Sequence, residues 1–166
     1  HGVNPFYRIS HAILETGRGT SVLSRGQVVA DTYTRFGDAS TVVKEAIPEA
    51  DRKMVYNVYG IGAWDVNANY WGAHRAHDEK WFSVEEAIVG GANWISKNYI
   101  NRFSKQNTLY KMRFNMAENM EHEYATDLGW AQKQAARIKG QIDAYVENNE
   151  GKTVDLKFRY PIFKNQ

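Results

Sequence analysis

The chain passes from helical patterning to strand-like patterning and back again, and this order restricts the fold classes open to it. Residues 5–15 carry apolar side chains at helical spacing, behind Asn4 as a cap and Pro5 as the first helical residue. Within residues 26–58, the segments "GQVVADTYTRFG" and "KMVYNVYG" are instead rich in valine, tyrosine and threonine and bounded by glycines, which is typical of short strands or irregular structure. The polar segment between them is ambiguous. The second half returns to helical spacing. The order predicts an α+β fold, mainly α, with a small lobe of hairpins and loops over about residues 26–82.

Local signals place three more helices in the second half. The stretch "SVEE" is a capping box, with Ser83 as the cap and Glu86 three residues on, and the helical spacing then continues to Tyr99. The sequence of residues 107–114 predicts a short helix. The last helix follows "HEYATD", and its apolar positions are Leu128, Ala131, Ala135, Ile138, Ile142 and Tyr145. The tail "TVDLKFRYPIF" alternates like a strand.

Size and composition exclude several classes of protein. A chain of 166 residues fits one domain, and 43% hydrophobic residues suffice for a core. A net charge of +2 does not favour nucleic acid as a partner, and no apolar run is long enough for membrane insertion. The absence of cysteine excludes disulfides and thiolate metal sites. Because the chain opens at His1 without an initiator methionine, we expect it to be excised from a larger protein.

The stretch "SHAILETGRGTS" places a carboxylate, Glu15, where the first helix is predicted to stop at Gly17. The carboxyl end of a helix carries partial negative charge, and the apolar neighbours Ile13 and Leu14 remove water. Both effects favour the protonated acid. An acid that keeps its proton can protonate a leaving oxygen, as a glycosidase requires. The alternative is a solvated glutamate on an ordinary helix.

Histidines give weaker signals. His74, His77 and Asp78 form "HRAHD", but a structural zinc site needs about four ligands and no other cluster supplies them. We therefore expect solvated loop histidines, no metal and no cofactor. His11 lies one turn before Glu15, so it either faces the same side of the helix or packs in the core.

Five blocks of sequence, taken in order, resemble one known family. They are "VNPFYRISHAILETGRGTS", "VYNVYGIGAWD", "WFSVEEAIVGGANWISKNYI", "QNTLYKMRFN" and "HEYATDLGWAQKQA". Together, from about Val3 to Ile138, they closely resemble the catalytic domain of bacterial autolysins in glycoside hydrolase family 73. The resemblance implies a lysozyme-like fold, in which a helical lobe and a small lobe with short strands flank a substrate groove.

The resemblance also implies a reaction and a place of action. Members are endo-β-N-acetylglucosaminidases that cleave the β-1,4 bond between N-acetylglucosamine and N-acetylmuramic acid in peptidoglycan. The general acid of the family corresponds to Glu15. The implied partner is the peptidoglycan glycan strand, and the implied location is extracellular, at the cell wall, as a secreted, monomeric catalytic domain.

The resemblance implies the second catalytic group less specifically than it implies Glu15. Some relatives carry another glutamate shortly after the block that corresponds to residues 57–63, and this chain has none at a short spacing. Tyr124 matches a family tyrosine suited to orient either the substrate acetamido group or the nucleophilic water. Asp65 is the runner-up partner of Glu15. In the ordinary alternatives, Tyr124 packs on the last helix and Asp65 bonds its own turn.

Five further residues are candidates for substrate binding: Asn57, Tyr59, Ile61, Gln106 and Trp94. For Trp94, the helical spacing favours a position in the core at least as much as one in the groove. Three rival functions remain open at this point. Two are enzymes on the same polymer, a lytic transglycosylase and a muramidase, and the third is a wall-binding module without catalysis.

Overall fold

The computed structural model describes residues 2–36, 41–64, 66–159 and 162, and the fold is α+β and mainly α. Six helices and four short strands are found in this part of the chain. In chain order they are α1 Pro5–Glu15, α2 Val22–Arg25, β1 Gln27–Val29, β2 Asp31–Phe36, β3 Thr41–Ala46, β4 Lys53–Val55, α3 Ala68–Asp78, α4 Val84–Ile95, α5 Leu109–Arg113 and α6 Trp130–Asn148. A single turn of π-helix, Ser96–Ile100, follows α4. Among the described residues, no helix is both long and apolar enough to cross a membrane.

The chain divides into two compact units. One contains His1–Ser10 with Trp94–Gln166, and the other contains His11–Asn93. The second of these includes all four strands and the predicted small-lobe region, residues 26–82.

The unit of residues 11–93 contains two antiparallel sheets of two strands each. β1 pairs with β4, with Gln27 opposite Val55, and β2 pairs with β3, with Asp31 opposite Ala46. The strands predicted within residues 26–58 are therefore confirmed. β3 falls in the polar segment whose sequence is ambiguous. Val55, on β4, is 1% exposed and belongs to the core of this unit.

The structure corrects the prediction of hairpins and loops throughout residues 26–82, because α3 occupies much of the later part. The buried residues of α3 are Gly72, Ala73, His74 and Ala76. These side chains are small or polar, so they lack the apolar periodicity from which helices are predicted. At Gly72, an added Cβ would lie 2.6 Å from Cδ1 of Leu23, which explains why a small residue stands there.

Local capping signals are confirmed in both units. The Asn4 side chain accepts a hydrogen bond from the backbone N–H of Tyr7 at 3.2 Å, as an N-cap does. Ser83 Oγ accepts from the N–H of Glu86 at 3.1 Å, and Glu86 returns to accept from the N–H of Phe82 at 2.8 Å. These bonds satisfy amide groups that the first turn of a helix leaves unpaired.

Two predictions for the unit of residues 1–10 and 94–166 need correction. Leu128 was expected on the apolar face of the last helix, but α6 begins at Trp130 and Leu128 is 75% exposed in the preceding turn. Trp130 is buried in its place. The tail was expected to be a strand, yet residues 152–159 have no regular secondary structure, since they form no ladder with another strand. The remainder of the predicted strand, apart from Ile162, lies outside the described residues.

Candidate active site

Glu15 is the last residue of α1, and the chain turns away directly after it. Gly17 has a φ of 54°, in the left-handed region that glycine adopts without strain. Thr16 fixes the turn, because its Oγ donates to the carbonyl of Ala12 at 2.6 Å and accepts from the N–H of Gly19 at 2.8 Å. The Glu15 side chain is 27% exposed, so a rigid helix presents the carboxyl while solvent still reaches it.

Gly60 faces the carboxyl of Glu15 within the same unit. A Cβ added at Gly60 would lie 3.3 Å from Oε2 of Glu15, and the backbone there has a φ of 65°. A side chain at this position would therefore crowd the carboxyl and strain the backbone. Glycine keeps the space beside Oε2 open.

The turn that carries Gly60 is held by the buried amide of Asn57. Its Nδ2 donates to the carbonyls of Ile61 at 2.8 Å and Gly72 at 3.0 Å. Its Oδ1 accepts from the N–H of Ile61 at 3.1 Å and from that of Tyr59 at 3.4 Å. All four hydrogen-bonding positions of the amide are used, so Asn57 fixes the turn to α3.

Tyr59 and Ile61 are 1% and 3% exposed, respectively, and belong to the core of this unit. The Tyr59 hydroxyl donates to the carbonyl of Ile88 at 3.3 Å, and its ring lies against Gly91. A role for Asn57, Tyr59 and Ile61 in substrate binding stays a prediction, and what the structure establishes is that they support the turn opposite Glu15.

His11 lies one turn before Glu15 and faces the same side of α1. Its ring is fully buried, and Nε2 lies 3.4 Å from Oε1 of Glu15. The His11 ring centroid is 5.4 Å from that of Tyr59. Burial lowers the pKa of His11, and the neighbouring Glu15 opposes this shift without cancelling it. The imidazole is therefore neutral near neutral pH.

Tyr124 belongs to the other unit and lies in a cluster of aromatic rings. Its ring centroid is 4.9 Å from that of Tyr99 and 5.4 Å from that of Trp130, the first residue of α6. Its backbone N–H donates to the carbonyl of Met112 at 2.8 Å. Tyr124 thus packs on the last helix, as the ordinary alternative expected, and its catalytic role stays a prediction. Burial raises the pKa of Tyr99 beside it.

Gln106 and Trp94 are found in the same unit as Tyr124. The Gln106 amide is fully buried, and its Nε2 donates to the carbonyls of Lys111 at 3.2 Å and His122 at 3.0 Å. Trp94 is half-buried, with its ring centroid 6.0 Å from that of Tyr99. Substrate contacts of Gln106 and Trp94 stay predictions. The runner-up catalytic residue, Asp65, lies outside the described residues.

The expectation that His74 is a solvated loop histidine is wrong. His74 is buried on α3, with Nδ1 2.8 Å from the carbonyl of Tyr70 and Nε2 2.8 Å from Oδ1 of Asp31. The Tyr70 hydroxyl also donates to Asp31 Oδ1 at 3.2 Å. Burial, with a contribution from Asp31, raises the pKa of Tyr70 to about 12. No sequence signal indicated this cluster, because it joins β2 to a helix that was not predicted.

No group of three or more metal-ligating side chains occurs in the part of the chain that the structure describes. The carboxylate that His74 contacts is that of Asp31. The expectation of a loop position is also wrong for His77, which lies on α3 and packs its ring edge-on against that of Phe82, at 5.9 Å between centroids.

Solved structures define the class to which this fold belongs. A catalytic mutant of Staphylococcus aureus Autolysin E, in which alanine replaces a glutamate, was solved with the disaccharide NAG-NAM. It is 34% identical to this chain with a TM-score of 0.61, over 86% of this chain and 54% of that one. The structure of Autolysin E with the muropeptide NAM-L-Ala-D-iGlu matches with a TM-score of 0.62, and the match covers 95% of this chain and 59% of that one. The fold is that of the lysozyme-like glycosidases, as the family resemblance implied.

Sequence comparisons identify the family within that class. The family described as Mannosyl-glycoprotein endo-beta-N-acetylglucosaminidase matches residues 1–142, and the chain belongs to it. A Beta-N-acetylglucosaminidase of Bacillus subtilis is 45% identical over 83% of this chain, and a Bifunctional autolysin of Staphylococcus epidermidis is 40% identical over 99%. The matches cover 13% and 11% of those relatives, so this chain spans a small part of their length.

Proposed function

We propose that this chain is a peptidoglycan hydrolase that cleaves the β-1,4 bond between N-acetylglucosamine and N-acetylmuramic acid, with Glu15 as the general acid. The observation that carries the proposal is the placement of Glu15. Its carboxyl is held at the end of α1, is accessible to solvent, and has Oε2 beside the open space at Gly60. A general acid must be both fixed and within reach of the leaving oxygen.

Membership of the family supports the reaction class. The relatives include proteins named Beta-N-acetylglucosaminidase and Bifunctional autolysin, and the solved neighbour binds the disaccharide NAG-NAM. In that neighbour, a glutamate is the residue changed in the catalytic mutant. A glutamate acid in this chain agrees with that chemistry.

The proposed reaction begins with proton transfer from Oε2 of Glu15 to the glycosidic oxygen. As the bond between the anomeric carbon and that oxygen breaks, the carbonyl oxygen of the substrate's own 2-acetamido group bonds to the anomeric carbon. Water then displaces the acetamido oxygen and gives its proton to the Glu15 carboxylate, which restores the acid. Tyr124 is proposed to orient the acetamido group or the water, with Asp65 as the runner-up partner.

The proposed place of action follows from the substrate. Peptidoglycan glycan strands lie outside the cytoplasmic membrane, and the named autolysin relatives come from bacteria. We propose that the domain works at the cell wall as a monomeric part of a larger wall-associated protein.

Product chemistry tests which bond is cut. Purified peptidoglycan is digested, the new reducing ends are reduced with borohydride, and the muropeptides are identified by mass spectrometry. Reduced glucosamine ends support the proposal. Reduced muramic acid ends would show a muramidase, and 1,6-anhydro ends would show a lytic transglycosylase. Binding to peptidoglycan without turnover would show a wall-binding module.

A further inference from the structure

His11 contacts the proposed catalytic acid, yet the reaction described above assigns it no role. The two side chains are four residues apart on α1, so helical geometry places one directly above the other. Nε2 of His11 lies 3.4 Å from Oε1 of Glu15, whereas Oε2 is the oxygen beside Gly60. The first distance is longer than that of an ordinary N–H···O hydrogen bond, and contacts of catalytic groups commonly tighten when substrate binds. The two carboxyl oxygens therefore have different surroundings.

We propose that His11 is a positioning residue for Glu15: its neutral imidazole donates Nε2–H to Oε1, so that the acidic proton is carried by Oε2. This inference rests on the proposed function, because it matters only if Glu15 is the acid. A carboxyl oxygen that accepts a hydrogen bond from its neighbour is the poorer site for the proton. The donor thus directs the proton to the oxygen that faces open space.

The burial of His11 supports a neutral imidazole. The ring is fully enclosed, and burial disfavours the charged imidazolium. A neutral ring can carry its single proton on Nε2 and present it to Oε1 of Glu15.

The surroundings of the ring hold it in this position. The His11 ring is in contact with that of Tyr59, whose hydroxyl is tied to the carbonyl of Ile88. Tyr59 also belongs to the turn that Asn57 fixes. A packed ring on a regular helix restricts the orientations open to the neighbouring carboxyl, and catalytic groups that are misplaced by about 1 Å lose roughly a hundredfold in rate.

Nitrogen NMR of the histidines tests the assigned tautomer without reference to activity. In protein labelled with ¹⁵N, the His11 signals are identified by their loss in His11→Gln. We expect Nε2 to carry the proton and Nδ1 to be unprotonated. The opposite tautomer, or an imidazolium near neutral pH, would overturn the inference.

Kinetics of His11→Phe and His11→Gln test the consequence. Phenylalanine keeps a buried ring but has no donor, so kcat should fall on the order of 10- to 100-fold with KM nearly unchanged. Glutamine restores a donor and should recover part of the loss. His77→Gln, on α3, serves as the control. Wild-type kcat in a folded His11→Phe variant contradicts the inference, and if that variant does not fold, the tautomer measurement decides.

Glu15→Gln is measured in the same series to separate two kinds of failure. If Glu15→Gln is inactive while His11→Phe is fully active, the role of His11 is wrong and the proposed function stands. If Glu15→Gln retains wild-type activity, the proposed function itself is wrong, whichever tautomer His11 adopts.

Discussion

Oε2 of Glu15 lies 3.3 Å from the point that a β-carbon would occupy at Gly60, so the carboxyl of one segment faces the bare backbone of another. Gly60→Ala should therefore lower kcat, because the added methyl group occupies the space through which Glu15 is proposed to reach substrate. The left-handed backbone at Gly60 adds about 1–2 kcal/mol of strain. The measurements are turnover of purified peptidoglycan and thermal unfolding.

Gly19→Ala is the matched control for that substitution. Gly19 also has a positive φ, 78°, but nothing lies within 4 Å of an added Cβ. Both variants should lose similar stability, and only Gly60→Ala should lose activity beyond that. Equal activity losses would mean that backbone strain, not crowding of Glu15, is responsible.

Asn57→Asp should destabilise the protein although the two side chains have nearly the same shape. The Nδ2 of Asn57 donates to two carbonyls, and a carboxylate oxygen in its place would face both of them. Two buried acceptors would lose their donor, at about 1–3 kcal/mol each. Thermal unfolding checks this, with the exposed Asn93→Asp as the control. Similar melting temperatures for the two variants would refute the role of Asn57.

Gln106→Ala should likewise destabilise, since it leaves the carbonyls of Lys111 and His122 without their donor. The expected loss is on the order of 2 kcal/mol in the free energy of unfolding. Denaturant unfolding measures it against Gln132→Ala, an exposed glutamine on α6. If both substitutions lower the free energy of unfolding by the same amount, the buried amide of Gln106 does not stabilise this region.

The burial of His11 predicts how stability changes with pH. The folded state holds the pKa of His11 below the ordinary 6.5, so the unfolded chain binds a proton that the folded chain does not. Stability contributed by the neutral ring is present above pH 6.5 and is lost as pH falls toward the folded pKa. The free energy of unfolding should therefore decline less steeply with acid in His11→Phe than in the wild type. Parallel curves for the two proteins would contradict this expectation.

Helices with strong local signals were predictable from sequence. α1 has its cap at Asn4, and α4 has its capping box at Ser83 and Glu86, so short-range bonds alone mark where each begins. α3 was not predictable in the same way. Its buried face is built from Gly72, Ala73, His74 and Ala76, and packing against neighbours rather than apolar periodicity stabilises it.

The candidate site was predictable only where its features are local in the sequence. Glu15 stands out because its position at a helix end is a local property of the sequence. Its relation to Gly60 is not local, since it depends on how the turn held by Asn57 packs. The contact between Asp31 and His74 is of the same kind, and no spacing in the sequence indicates it.

Replacement of Glu15 by glutamine tests the central claim most directly. The release of reducing ends from purified peptidoglycan is compared for the wild type, Glu15→Gln and Glu85→Gln, an exposed glutamate on α4 that serves as the control. Because general acid catalysis contributes about 10²- to 10⁴-fold, Glu15→Gln should fall by at least about a hundredfold while Glu85→Gln stays at the wild-type rate. A folded Glu15→Gln variant that releases reducing ends as fast as the wild type would contradict the account.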